Sequence, residues 1–189
     1  EFVRQFNPNV HLIYNGYDSS QFYAEDIPMD TFYISYIGRI YEFQSTALVE
    51  QAVRELNLPH VELNIHTPDC RPIPLSAVGD ELRRSSMALV LTNPNAKGMM
   101  TTKFFEALGC EKPILCTPSD NGLLTKTIRD TNAGLASSDM DEIKAFILEK
   151  YHEWQQNGFT RQAVINKEPF SRQQQAQQFE QLFMQCSKR

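Results

Sequence analysis

The sequence predicts an α/β fold, a mostly parallel sheet with helices on both faces. Short apolar runs alternate with helix-period patterns along the chain, as repeated strand and crossover helix units require. The runs Met87 to Thr92 and Pro113 to Cys116 read as buried strands, the first of them covered on both faces. Between them, the stretch Gly98 to Cys116 forms a loop, helix and strand unit of the kind that holds an anion at a helix N-terminus.

The elements follow in order. Val10 to Tyr14 and Tyr33 to Ile37 read as strands. From Ser45 to Leu56, Leu48, Val49, Ala52, Val53 and Leu56 recur at helical spacing, with Ser45 or Thr46 to cap. Val61 to His66 is the next strand, Ser76 to Ser86 a helix, and Met87 to Thr92 a strand. Thr101 to Gly109 is a helix carrying one acid, Glu106. Gly109, Lys112 and Pro113 turn it into the strand Pro113 to Cys116. Asn121-Gly122 turns into a helix over Leu123 to Asp130, and Ala133 to Leu135 forms a short strand. Ser138 and Asp139 can cap a longer helix whose Ile143, Phe146, Ile147, Tyr151 and Trp154 make one core-facing stripe. Ser171 to Gln185 is rich in glutamine but carries Ala176, Phe179, Leu182 and Phe183 on one face, the pattern of a docking helix. With no internal repeat and no long linker, the chain reads as one Rossmann-like domain over 1–169 with a C-terminal docking helix over 170–189.

Composition narrows the function classes. The chain has 189 residues, 41% of them hydrophobic, enough for a sizeable core. A formal charge of −5 argues against general affinity for nucleic acid, while leaving room for a local basic pocket around Arg39 and Lys103. The four cysteines show no paired metal-type spacing, which points to a reducing, cytoplasmic setting. No window matches a membrane-spanning helix or a signal peptide. Glu1 to Pro8 reads as the end of a connector, and the chain as part of a longer protein.

In a sheet of this type ligands lie beyond the carboxyl ends of the strands. After the strand Tyr33 to Ile37, Gly38 permits a sharp turn and close backbone approach. Arg39 can grip two phosphate oxygens there or stand as a surface arginine. Beyond Met87 to Thr92, the loop 93–98 leads through Met99, Met100, Thr101 and Thr102 into the helix. Its free N–H groups, the dipole, a threonine hydroxyl and Lys103 suit a phosphate; an ordinary capped helix would look the same. Glu106, one turn inside and flanked by Phe105, Ala107 and Leu108, either reaches the solvent edge or accepts hydrogen bonds from a ligand hydroxyl pair such as a ribose. The histidines form no ligand pattern, although His66 ends a central strand and can face the cleft. Asp69, Asp120 and Asp139 read as turn or cap acids. No serine-hydrolase elbow, zinc motif, Walker loop or dinucleotide fingerprint occurs.

Several segments together resemble the C-terminal half of a family 4, or group 1, glycosyltransferase of GT-B architecture. Val10 to Asp18 followed by Phe22 resembles the family's "pNGvD…F". Ile37-Gly-Arg39-Ile resembles its "vGRl", and Glu106-Ala-Leu-Gly-Cys-Glu-Lys-Pro113 its "EAmacGkPvi". Asn132-Ala-Gly134 sits where the family has a glycine before an acidic helix, and Phe170-Ser171 opens the last helix as "fsw" does. The resemblance implies a donor-binding domain for a nucleotide-diphosphate sugar. Arg39 would bind the diphosphate, Glu106 the ribose, and the Gly98 to Thr102 amides would line the diphosphate and donor sugar. It further implies retaining transfer without a bound metal or other cofactor, in surface polysaccharide or glycolipid synthesis. The acceptor domain would lie upstream, leaving room for peripheral membrane contact through it.

The chain departs from the family pattern at three places. In the family's Glu-x7-Glu pair the first acid, which touches the donor sugar, falls on Gly98. The lysine five residues after the arginine is Gln44, with Lys103 placed to restore its charge, as in members with a "tKlfEy" pattern. The loop's "GFG" is Gly98-Met99-Met100. Two alternatives accompany the glycosyltransferase expectation: a degenerate, non-catalytic partner in a glycan assembly complex, and a sugar-nucleotide epimerase.

Overall fold

The computed structural model describes residues 2–187 except Pro94 and Ala96. Parts of the expected connector (Glu1), of the loop 93–98 (Pro94 and Ala96) and of the C-terminal segment (188–189) therefore lie outside the described residues. Five strands form one parallel sheet: β1 (Phe32–Ile37), β2 (Val61–His66), β3 (Met87–Leu91), β4 (Ile114–Thr117) and β5 (Gly134–Ala136), in the order β2-β1-β3-β4-β5. The helices are α1 (Ala47–Leu56), α2 (Val78–Arg84), α3 (Thr102–Gly109), α4 (Leu123–Asp130), α5 (Met140–Asn157) and α6 (Arg172–Ser187).

The two-residue period of a strand divides the core between two faces. Phe32, Ile34 and Tyr36 of β1, Met87, Leu89 and Leu91 of β3, and Leu115 of β4 pack with Val49 and Ala52 of α1 and with the α5 stripe Ile143, Ile147, Tyr151 and Trp154. Ala88, Val90, Ile114 and Cys116 point the other way, onto Val78, Leu82, Phe104, Leu108, Leu124 and Ile128 of α2, α3 and α4. Helices thus cover both faces, and every residue of β3 and β4 is buried. Asp139 caps α5 by accepting from Asp141 N (2.9 Å) and Glu142 N (3.0 Å), and Gly158 ends it in the left-handed conformation.

Three expectations change. Val10 to Tyr14 is no strand and joins no sheet. It lies along α6, where Gln175 Nε2 donates to Tyr14 O, and the nearby backbone pairing is the single bridge Tyr17 to Ser171. The helix expected from Ser76 begins as a 3-10 turn, Leu75–Ala77, and α2 proper starts at Val78. The face of α6 expected to dock is open: Ala176, Phe179 and Phe183 are exposed, Leu182 is half-buried, and α6 buries no side chain.

Candidate functional site

The strand order reverses between β1 and β3, so a crevice opens at their carboxyl ends, the position where sheets of this kind take ligands. A cleft of about 440 Å³ lies there. Its polar lining is His66, Thr67, Thr102, Lys103 and Glu106, and its apolar wall includes Ile37, Pro72, Ile73 and Val78. Gly38 lines the same cleft at φ +130°, with its N–H bonded to His66 O (2.8 Å). A Cβ at Gly38 would stand 2.8 Å from Lys103 Nζ, so a side chain there would push the end of the lysine aside. The ammonium lies 5.2 Å from the Tyr36 ring centroid, over its face.

Lys103 and Glu106 stand three residues apart on α3, on one face of the helix. Both line the cleft, yet no ion pair joins them, and neither side chain has a hydrogen-bond partner among the described residues. Burial lowers the Lys103 ammonium pKa, partly offset by Glu106. Burial raises the Glu106 carboxyl pKa, partly offset by Lys103 and Arg172. A half-buried cation and anion, each facing the same cavity instead of each other, can serve a ligand that carries both an anionic group and hydroxyl donors.

The N-terminus of α3 is built for the same purpose. Thr101 caps it, its hydroxyl accepting from Lys103 N (3.1 Å), and Phe104 N reaches Thr101 O (3.2 Å). None of the amides from Gly98 to Thr102 donates to an acceptor among the described residues. Gly98 is exposed, with no atom of the described residues within 4 Å of an added Cβ; Met99 is exposed, and Met100 packs against the core.

The remaining expected residues take different positions. His66 lines the cleft. Its Nδ1 meets the Arg71 carbonyl at 2.8 Å, and since a carbonyl only accepts, Nδ1 carries the proton. Its Nε2 is buried without a hydrogen bond, 3.4 Å from Glu81 Oε1. The Arg39 side chain is exposed and outside the cleft lining, and its carbonyl accepts from Tyr36 Oη (2.6 Å). Gln44 commits both ends of its amide to the backbone: Nε2 donates to Leu91 O (2.7 Å) and Oε1 accepts from Tyr41 N (3.1 Å). Two features escaped the sequence reading. The apolar wall after β2 was signalled by the proline-rich run Pro68 to Pro74, and the Tyr36 ring under Lys103 by the period of β1. Among the described residues no group of three or more His, Cys, Asp or Glu side chains converges as a metal site. No helix of these residues is long and apolar enough to cross a membrane.

No family model and no curated protein matches this sequence. Among solved structures, the chain is similar to the C-terminal domain of a glycosyl transferase group 1 family protein (LpcC) from Francisella tularensis. The TM-score is 0.52 at 14% identity, covering 76% of this chain and 95% of that one. At that identity the likeness is one of fold, and the chain has the Rossmann-like α/β fold of the C-terminal domain of a group 1, GT-B glycosyltransferase.

Proposed function

We propose that this chain is the donor-binding domain of a retaining glycosyltransferase and that its cleft takes a nucleotide-diphosphate sugar. The observation that carries the reading is the unpaired Lys103 and Glu106 on one face of α3, in a cleft at the switch point of the sheet. Glu106 accepts from the ribose hydroxyls. Lys103, the helix dipole and the Gly98 to Thr102 amides hold the diphosphate. The wall of Pro72, Ile73 and Val78 covers the base. As the glycosidic bond breaks, the leaving nucleoside diphosphate gains negative charge, and donors fixed in advance stabilise it. Arg39, on the exposed turn after β1, is free to swing onto the diphosphate. A separate acceptor-binding domain supplies the other half of the active site. The whole protein works in the cytoplasm, in surface polysaccharide or glycolipid synthesis.

Calorimetry with UDP, GDP, dTDP and ADP tests the reading. One of them binds saturably, and Glu106→Gln weakens it by ~10-fold, the loss of one charge-assisted hydrogen bond. No binding at millimolar concentration by any of the four would overturn the proposal. A second, non-catalytic reading is favoured by Gly98, which puts no acid beside the loop, and by Gln44, whose amide is bound to the main chain. Turnover by the full-length chain with the binding nucleotide's sugar excludes it.

A further inference from the structure

We propose that the rim formed by Tyr41, Phe43 and Met99 is a stacking platform for the hexose ring of the donor, in place of recognition by an acid at position 98. The proposal rests on the nucleotide reading of the cleft. A second, smaller cavity of about 90 Å³ lies beside the first, and Lys103 lines both. Its floor is buried, with Leu91, Thr92, Asp120 and Leu124, and its rim is open, with Tyr41 51%, Phe43 52% and Met99 57% exposed.

Two exposed aromatic rings at the mouth of a cavity that Lys103, Asn93 and Thr101 also line need a reason, since large apolar side chains ordinarily pack inside. The rings are stacked, with centroids 5.5 Å apart and planes 4° from parallel. The backbone turn that carries them is tied down. Gln44 N donates to Tyr41 O (2.8 Å), Tyr41 N donates to Gln44 Oε1 (3.1 Å), and Gln44 Nε2 ties the turn to Leu91 O (2.7 Å) at the end of β3. The glutamine that replaces a diphosphate-binding lysine therefore fixes the aromatic turn. A surface ordered before binding loses little entropy when a ligand arrives.

The chemistry of the ligand follows from the order of the groups. Along the α3 face, the apolar wall and Glu106 occupy the larger cleft, Lys103 stands at the junction, and the aromatic rim lies beyond it. A nucleotide-diphosphate sugar has the same order: base, ribose, diphosphate, hexose. With Glu106 on the ribose and Lys103 on the diphosphate, the group that reaches the rim is the hexose. A hexose has an apolar C–H face for an aromatic ring and hydroxyls at its edge. Asn93, at the same cavity, accepts from Asn95 N through Oδ1 (2.9 Å), and its Nδ2 has no acceptor among the described residues, so it can donate to a sugar hydroxyl.

The test compares each nucleoside diphosphate with its sugar conjugate, UDP with UDP-glucose and UDP-galactose and GDP with GDP-mannose, on the wild-type chain and on the double variant Tyr41→Ala, Phe43→Ala. Saturation-transfer NMR reads the hexose protons directly. In the wild type, hexose C–H protons receive saturation and the conjugate binds ~5-fold or more tighter than the bare diphosphate. In the double variant both effects vanish, while affinity for the bare diphosphate stays within 2-fold. Gln44→Leu, which releases the turn, gives an intermediate loss. If the bare diphosphate binds and the hexose protons receive no saturation, or if the variants weaken diphosphate and conjugate equally, the platform is refuted and the nucleotide site stands. If no diphosphate binds the wild type, both fail together.

Discussion

Lys112 offers the most quantitative test of the physical reasoning. It is 2% exposed, at the turn from α3 into β4, and its one hydrogen bond runs to Thr160 O at a long 3.4 Å. Burial lowers its ammonium pKa to about 8 from an unfolded value near 10.5. Below pH 8 both states are protonated and the folded state carries the whole cost of the buried charge. The gap of about 8 to 10.5, at ~1.4 kcal/mol per tenfold, is a cost of ~3 kcal/mol. Between those pH values the unfolded chain binds the extra proton, so stability rises with pH through the window. Lys112→Met keeps the length of the side chain and removes the charge, at a loss of ~1 kcal/mol for the hydrogen bond to Thr160 O. Urea unfolding at pH 7 should therefore show the variant ~2 kcal/mol more stable, and the difference should shrink above pH 8, pass through zero before pH 10.5 and end with the wild type ~1 kcal/mol ahead, the hydrogen bond alone. A variant destabilised at pH 7, or a difference constant with pH, would refute the assignment of a buried, charged and poorly paired lysine.

Glu106→Gln should separate binding from stability. Because burial raises the folded carboxyl pKa, ionised Glu106 costs stability at neutral pH, and that cost disappears as pH falls through the folded value. The variant should then melt higher at pH 7 while binding nucleoside diphosphate more weakly; a lower melting temperature at pH 7 would count against it. Gly134→Ala should abolish cooperative unfolding, as φ is +147° and the new Cβ would stand 2.1 Å from Ile114 O in the β4–β5 pairing. Gly98→Ala, at an exposed position with no described residue close to the new Cβ, should leave the melting temperature unchanged, and circular dichroism compares the two directly. Asp139→Ala removes the cap that receives Asp141 N and Glu142 N and should cost ~1 kcal/mol in the same urea experiment.

Periodicity is a property of the chain, and wherever one face of an element is buried it can be read directly. The α5 stripe Ile143, Ile147, Tyr151 and Trp154 and the all-buried β3 are of this kind, and both match expectation because core packing enforces what local pattern proposes. The α3 cap at Thr101 and the acid Glu106 one turn further on were legible for the same local reason. Val10 to Tyr14 shows the limit. Its apolar alternation is that of a strand, but a strand needs a partner edge, and the tertiary fold gives that stretch a helix instead.

The sequence by itself determined the parallel α/β architecture, the loop that opens α3, and the presence of one lysine and one carboxylate on that helix. Only the tertiary structure decided what those charges face. Lys103 and Glu106 could have paired across one turn, and the strand order that opens a crevice between β1 and β3 gives them a shared cavity instead. The same long-range packing bound Gln44 to the end of β3 and left Arg39 on the surface. Spacing along a chain fixes which residues share an element; the distances that make a site run between elements, and tertiary packing sets them.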